Sequence, residues 1–358
     1  MNSIKKNDAE YRIYNYDVIR VISCLFIILI HTTSFFFLFD KSSFLWWCGD
    51  IIQNIVRLGL PMFVVLSGAL ILNGRDEKIS HFYSKRLIKI IIPFVIYNLI
   101  YIVFNVNYAT GNFNIKKMAS YLKIIIEGNT YEHLWYIYMI VGLYLCTPFL
   151  KKMCKCLNQR ELNVLFFIIL GISVVRYLLP SIGININITD VFVEGWISYY
   201  LLGYILTNSS LFIKKKGLFI ILGIGSFFLS VFDYRYGFVG IKGIWDFSIT
   251  MYFQVIALFL FLANIKVKLN HSKQKLLLFL SKYSFEVYLI HGAVMNLISR
   301  INYRFNIIDS TSLIYSFIYI LLVIVLSLIS AVIVHNILVK PITHFIVKFV
   351  KKCCASKV

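Results

Sequence analysis

Asp17-Val-Ile-Arg20, followed after ten residues by His31, is the arrangement in this chain with the most direct chemical meaning. On a helix, eleven residues make just over three turns, so Arg20 and His31 share one face about 16 Å apart along the axis. Asp17 lies three residues before Arg20, where an ion pair can form. A fixed guanidinium suits a phosphate or another anion. An imidazole titrates near neutrality and can take a proton from an attacking hydroxyl or carry an acyl group briefly. The plainer alternative is that Arg20 reaches out to polar surroundings and His31 is a hydrogen-bonded interior residue. Their shared face favours a reaction path.

Four further groups meet the same question. Arg57-Leu-Gly-Leu-Pro61 leads to Ser67-Gly68, a hydroxyl and small residues that equally suit close helix packing. Lys85-Arg86-Leu-Ile-Lys89 before Pro93 gathers cations that could hold phosphates or simply anchor topology. Glu132-His133-Leu-Trp135-Tyr136 combines hydrogen-bonding groups with flat aromatic faces, and with Asp50, Trp46 and Trp47 it could receive a sugar, although aromatics also belt interfaces. In Ser284-Phe-Glu286-Val-Tyr288-Leu-Ile-His291, Tyr288 and His291 are three apart on one face and Glu286 lies on another. Cys154-Lys-Cys156 lacks the spacing of a structural zinc site, and no metal is expected.

The elements that position these residues are set by composition. The 358 residues are 59% hydrophobic and 17% aromatic but only 15% charged, with mean hydropathy +0.79. Such a balance excludes soluble, disordered and disulfide-scaffold classes and predicts an all-α integral membrane protein. Apolar runs of spanning length fall at residues 16–39, 51–73, 87–109, 131–150, 162–182, 190–207, 217–234, 245–264, 275–299 and 312–339, about ten transmembrane helices. The first run is too long for a signal-peptide core and no cleavage site follows it, so it is read as a true span.

A formal charge of +20 would suggest nucleic acid in a soluble protein, but here the basic residues punctuate apolar runs and no nucleic acid partner is expected. Placing the N-terminus inside collects about 25 of the 36 basic residues on the cytoplasmic side. Both termini are then cytoplasmic: a short segment 1–15 and a basic tail 340–358. Lys214–Lys216 and Lys268 fall inside; Asn185 and Ser310 fall outside. With no linker or compositional break, residues 1–358 read as a single polytopic domain. The loop at 110–130, with Lys116, Lys117, Leu122 and Ile124 to Ile126, is either an interfacial amphipathic segment or an ordinary loop.

Taken together, the Asp-x-x-Arg-x10-His opening, the Pro61 to Gly68 segment, Lys-Arg-Leu-x-Lys before Pro93, His133-Leu-Trp-Tyr through Thr147-Pro148, and Ser284-Phe-Glu-Val-Tyr-Leu-Ile-His291 resemble the acyltransferase family 3 membrane proteins. The stand-alone type, such as the enterobacterial common antigen O-acetyltransferase, is the most similar. The resemblance implies transfer of an acyl group, usually acetyl, from cytoplasmic acyl-CoA to a hydroxyl of an extracytoplasmic glycan or other envelope molecule. Arg20 and His31 match the family's essential pair, and Arg86 with Lys89 its basic element, where lysine departs from arginine and loses the bidentate fork. The implied donor site is Arg86, Lys89 and Ser67. Asp17, Tyr288, His291 and Glu286 support the reaction, while His133, Trp135, Glu132 and Asp50 face the acceptor. The span-four glutamate of members fused to an external domain is not found between Trp135 and Pro148. Acetyl-CoA is the expected co-substrate, and the lipid bilayer of the inner (plasma) membrane the setting. A secondary transporter also needs intramembrane charges and Gly-interrupted helices, but no matching half-sequences are seen and Glu286 is the only acidic group at depth.

Overall fold

The computed structural model describes residues 2–104, 117–128, 130–179, 183–184, 195–236, 246–266, 269–305 and 313–355. Lys116, Asn185, Lys268, Ser310 and Lys357 lie outside these residues. In chain order the helices are α1 (Asn2–Thr32), α2 (Phe44–Val56), α3 (Gly59–Ile71), α4 (Ile79–Val103), α5 (Met118–Ile126), α6 (Trp135–Cys156) and α7 (Gln159–Ser173). They continue with α8 (Trp196–Asn208), α9 (Ser210–Lys214), α10 (Lys216–Tyr236), α11 (Ile249–Asn264), α12 (His271–Phe305), α13 (Leu313–Val334) and α14 (Lys340–Ala355). No strand occurs among the described residues.

Among the described residues a helix stands at each of the ten predicted positions, and six stretches are long and apolar enough to cross a membrane. These are Tyr14–Leu38, Phe44–Ile71, Ile79–Val103, Glu132–Cys156, Lys216–Asp233 and Leu313–Lys348. Of the other four positions, three hold helices that are shorter or more polar. At 13 and 16 residues, α8 and α11 fall short of the roughly 20 residues a span requires, whereas α7 continues through a π-helical turn, Val174–Leu178. Although 35 residues long, α12 carries Lys282, Glu286 and His291 through its middle.

The described residues pack as two compact units, each built from separated stretches of chain: Met1–Arg75 with Phe149–Lys282, and Asp76–Pro148 with Tyr283–Val358. In the first, α3 packs on α8, α10 on α11, and α1 on both α3 and α11. Glycine decides two of these approaches. A Cβ at Gly68 would overlap the Tyr200 carbonyl, and one at Gly203 the Val65 carbonyl, so α3 and α8 cross backbone to backbone. Close crossings of this kind use small residues because helix association in lipid rests on dispersion, not water release. Ser67 is half-buried next to that crossing. Capping side chains define the element starts: Asn158 and Glu161 form a reciprocal box at α7, and Ser248 accepts from the Met251 N–H at α11.

In the second unit, α4 packs against α5, against α14 and against a π-helical turn, His335–Val339, that follows α13. Pro93 lies inside α4; lacking an N–H, it leaves the Lys89 carbonyl without its usual helical donor. Residues 118–126 form the helix α5, with Tyr121 and Ile125 buried and Leu122 and Ile126 exposed. The segment expected as either an interfacial amphipathic stretch or an ordinary loop thus contains a helix of nine residues.

Candidate functional site

Within the first unit, the predicted face of α1 is formed without a break, because Asn2–Thr32 is one continuous helix. The Arg20 guanidinium donates from one terminal nitrogen to Asp17 at 2.9 Å and to the Ser281 hydroxyl at 2.8 Å. Ser281 in turn donates to the same Asp17 oxygen, closing a triangle. Asp17 is largely enclosed, while the Arg20 side chain keeps 33% of its surface exposed. Only one guanidinium nitrogen is engaged in these bonds. The remaining donors of the planar fork therefore stay open to an anion while the side chain is held in place.

His31 occupies the last turn of α1 and is exposed, not enclosed in the middle of a bundle as its sequence depth suggests. The helix stops there because Thr32, Thr33 and Ser34 bond back to carbonyls, Thr32 to Ile28 at 3.0 Å and Thr33 to Leu29 at 2.7 Å, and the chain tightens into a 3-10 turn, Ser34–Leu38. Gln53, buried on α2, secures this end by donating to the Ile30 carbonyl at 3.0 Å and the Thr33 hydroxyl at 2.9 Å. A mobile helix end would not hold an imidazole in register with Arg20; a pinned one does. Asp50, expected on the acceptor side, is fully buried and accepts from Asn54 at 2.9 Å. Its one-turn spacing from Asn54 draws it into the packing of α2, which removes it from any acceptor-facing surface.

The second unit brings together another part of the predicted set. His133 and His291 have ring centroids 4.4 Å apart, and Tyr131 and Tyr288 stand edge-on to His133 at 5.1 and 5.5 Å. The Tyr288 hydroxyl donates to the His133 carbonyl. His291 Nδ1 lies 2.6 Å from the Tyr288 carbonyl, an acceptor only, so this nitrogen carries a proton. Gly292 allows the approach: a Cβ there would meet His133 Cε1 at 2.7 Å and the Tyr101 hydroxyl at 3.0 Å. Tyr101 bridges the helix itself, accepting from the Ala293 N–H at 3.1 Å and donating to the Leu289 carbonyl at 3.0 Å. Those two backbone groups are the pair an ordinary helical turn joins directly.

Glu286 does not join that cluster. It pairs with His335 Nδ1 at 2.7 Å, and the Tyr283 ring stands edge-on to His335 at 5.3 Å. Glu132 and Trp135 are exposed beside buried His133. On α4, Lys89 is exposed and Arg86 half-buried, with its Nε enclosed and bonded to nothing among the described residues. Lys85 reaches Glu77 at 4.0 Å.

An acyltransferase domain model of the acyltransferase 3 family matches residues 13–334. The chain belongs to acyltransferase family 3. No curated protein and no solved structure matches it. The matched stretch holds both the Arg20 and His31 face of α1 and the His133 and His291 cluster, and six apolar helices of spanning length make this family 3 acyltransferase a multi-pass membrane protein. Its match ends one residue before His335, the partner of Glu286. Sequence reasoning missed His335, Ser281, Gln53 and Tyr101. His335 and Gln53 were visible as polar groups at the edge of or within apolar runs, whereas Ser281 and Tyr101 acquire their roles only through residues more than 180 positions away.

Proposed function

We propose that this acyltransferase moves an acyl group, acetyl in the first instance, from cytoplasmic acyl-CoA to a hydroxyl of an extracytoplasmic polysaccharide or other envelope molecule. It would do so in the plasma membrane, with both termini cytoplasmic. The observation carrying this reading is the α1 face: a guanidinium fixed by Asp17 and Ser281 with donors to spare, and an exposed imidazole three turns along the same unbroken helix. Acyl-CoA is a polyanion, and in the first unit Arg20 and the hydroxyl of Ser67 offer it charge-assisted contacts. At the far end, the acceptor oxygen attacks the thioester carbonyl carbon, a C–O bond forms, and the C–S bond breaks. The hydroxyl proton passes to His31 and from it to the departing thiolate, so that ester and free thiol are the only products. A short-lived acyl-histidine is the covalent variant of the same route. In the second unit, exposed Glu132 and Trp135 supply polar and flat apolar surface for the acceptor beside buried His133, with Tyr288 and His291 packed against it.

Inverted and right-side-out membrane vesicles distinguish this reading from any other. With labelled acetyl-CoA in the medium, inverted vesicles are expected to build alkali-labile label into their lumenal glycan, and right-side-out vesicles are not. Label entering only from the external face would contradict the proposed donor side. No ester label in either preparation would contradict the proposed reaction.

A further inference from the structure

A groove in the first unit, of about 660 Å³, has the size of a ligand pocket and a chemistry that the α1 face does not use. The Tyr16 and Phe259 rings, stacked with centroids 6.4 Å apart, form part of its wall, with Phe212 adding further apolar surface. Asn15 is buried and donates to the Ala263 carbonyl at 2.8 Å and the Ile265 carbonyl at 3.1 Å, tying α1 to the C-terminal end of α11 and fixing that wall. Two cations complete the lining: Lys216, half-buried at the start of α10, and Lys266, exposed just beyond α11. Neither forms an ion pair with a described residue, and Lys214 and Lys215 extend the positive run. Aromatic floor and paired cations in one groove match a ligand that is flat at one point and phosphorylated at another.

Position along α1 narrows the choice. Tyr16 lies one turn before Arg20, about 6 Å along the axis, and about 22 Å from His31. A ligand seated here that also feeds the reaction must be long, with its anionic end in the groove and its reactive end some four turns away. Resting on the acyl-CoA reading above, we propose that this groove receives the nucleotide end of acyl-CoA, adenine against Tyr16 and Phe259 and phosphates against Lys216 and Lys266. The pantetheine arm then follows α1 past Arg20 toward His31. An anionic lipid headgroup shares the phosphate chemistry but has no use for a flat aromatic wall. Lys216, Lys266 and Tyr16 are binding residues in this arrangement and touch no reacting atom.

Binding to the full-length protein in detergent and in lipid nanodiscs tests the groove. Substituting Lys216→Ala together with Lys266→Ala is expected to weaken CoA binding at least about tenfold, the loss of one charge-assisted contact or more, while S-acetylpantetheine, which lacks the nucleotide, binds within about twofold of the parent. Restoring charge with Lys216→Arg and Lys266→Arg should recover CoA affinity, and Tyr16→Ala should weaken CoA but not S-acetylpantetheine. Unchanged CoA affinity in the double alanine variant would overturn the groove and leave the acyl-CoA reading intact. If the unsubstituted protein binds no CoA, both fall. Nanodiscs of phosphatidylcholine alone and with phosphatidylglycerol separate the lipid alternative: CoA affinity in the parent that disappears with phosphatidylglycerol, or variants altered only in phosphatidylglycerol association, would assign the groove to lipid and overturn the proposal.

Discussion

Arg20 spends one nitrogen on Asp17 and Ser281 and keeps 33% of its side-chain surface exposed, so one side chain is both anchored and accessible. Arg20→Lys keeps the charge but supplies neither the fixed plane nor the second set of donors, so donor affinity should fall by about tenfold or more, measured as KM for acetyl-CoA with protein yield unchanged. Asp17→Asn should act in the same direction more weakly, because the guanidinium stays but is no longer held by charge. For His31, loss of a general base costs about 10²–10⁴-fold in rate. His31→Gln is therefore expected to lower kcat within that range with donor affinity preserved, whereas near-native kcat would make His31 a helix-end residue with no part in proton transfer. These residues were legible in the sequence because an eleven-residue spacing survives any packing of the helix that bears it. What the spacing did not reveal was depth: His31 lies at the end of α1, since three consecutive hydroxyl residues stop the helix immediately after it.

At the level of elements, helix positions followed from apolar runs, and the partners between them did not. Gly68 and Gly203 illustrate the difference. Their small size in an apolar run points to close packing, but only the folded chain shows that each lies against the other's helix backbone. Gly68→Leu should therefore destabilise the first unit by at least the ~1–3 kcal/mol typical of overpacking, seen as a lower thermal midpoint in detergent, whereas the same change at Gly225, where a Cβ meets nothing, should leave the midpoint nearly unchanged. Tyr101 is a sharper case, since its hydroxyl bonds two backbone groups of α12 at the turn bearing His291 and Gly292. Tyr101→Phe removes both of these hydroxyl bonds. A changed kcat with unchanged donor KM would mark Tyr101 as a positioning residue for the histidine cluster, while a shift in stability alone would make it a packing residue. Nothing in the sequence joins Tyr101 to Leu289, 188 residues away.

For the whole molecule, charge asymmetry and family membership meet on the question of sidedness. A cytoplasmic donor requires the Lys214–Lys216 turn and the N-terminal end of α1 to face the cytoplasm. Single cysteines at 215 and 185, in a background without the native cysteines, are expected to differ: an impermeant thiol reagent should label 185 in intact cells and 215 only after lysis. The reverse pattern would overturn the assigned orientation. Three of the ten predicted crossings hold helices that are shorter or more polar than the six apolar stretches, and the reason is physical: α8 and α11 end after 13 and 16 residues, and α12 carries Lys282 and Glu286. The most direct measurement is acetyl transfer by the purified protein itself. Labelled acetyl-CoA, supplied to the detergent-solubilised chain with an envelope glycan fraction, should yield free CoA and an alkali-labile acetyl ester in equal amounts, and His31→Ala should abolish both together. Thiol release and ester formation that persist undiminished in His31→Ala, or no acetyl-CoA consumption by the unsubstituted protein with any envelope fraction, would contradict acyl transfer along the α1 face.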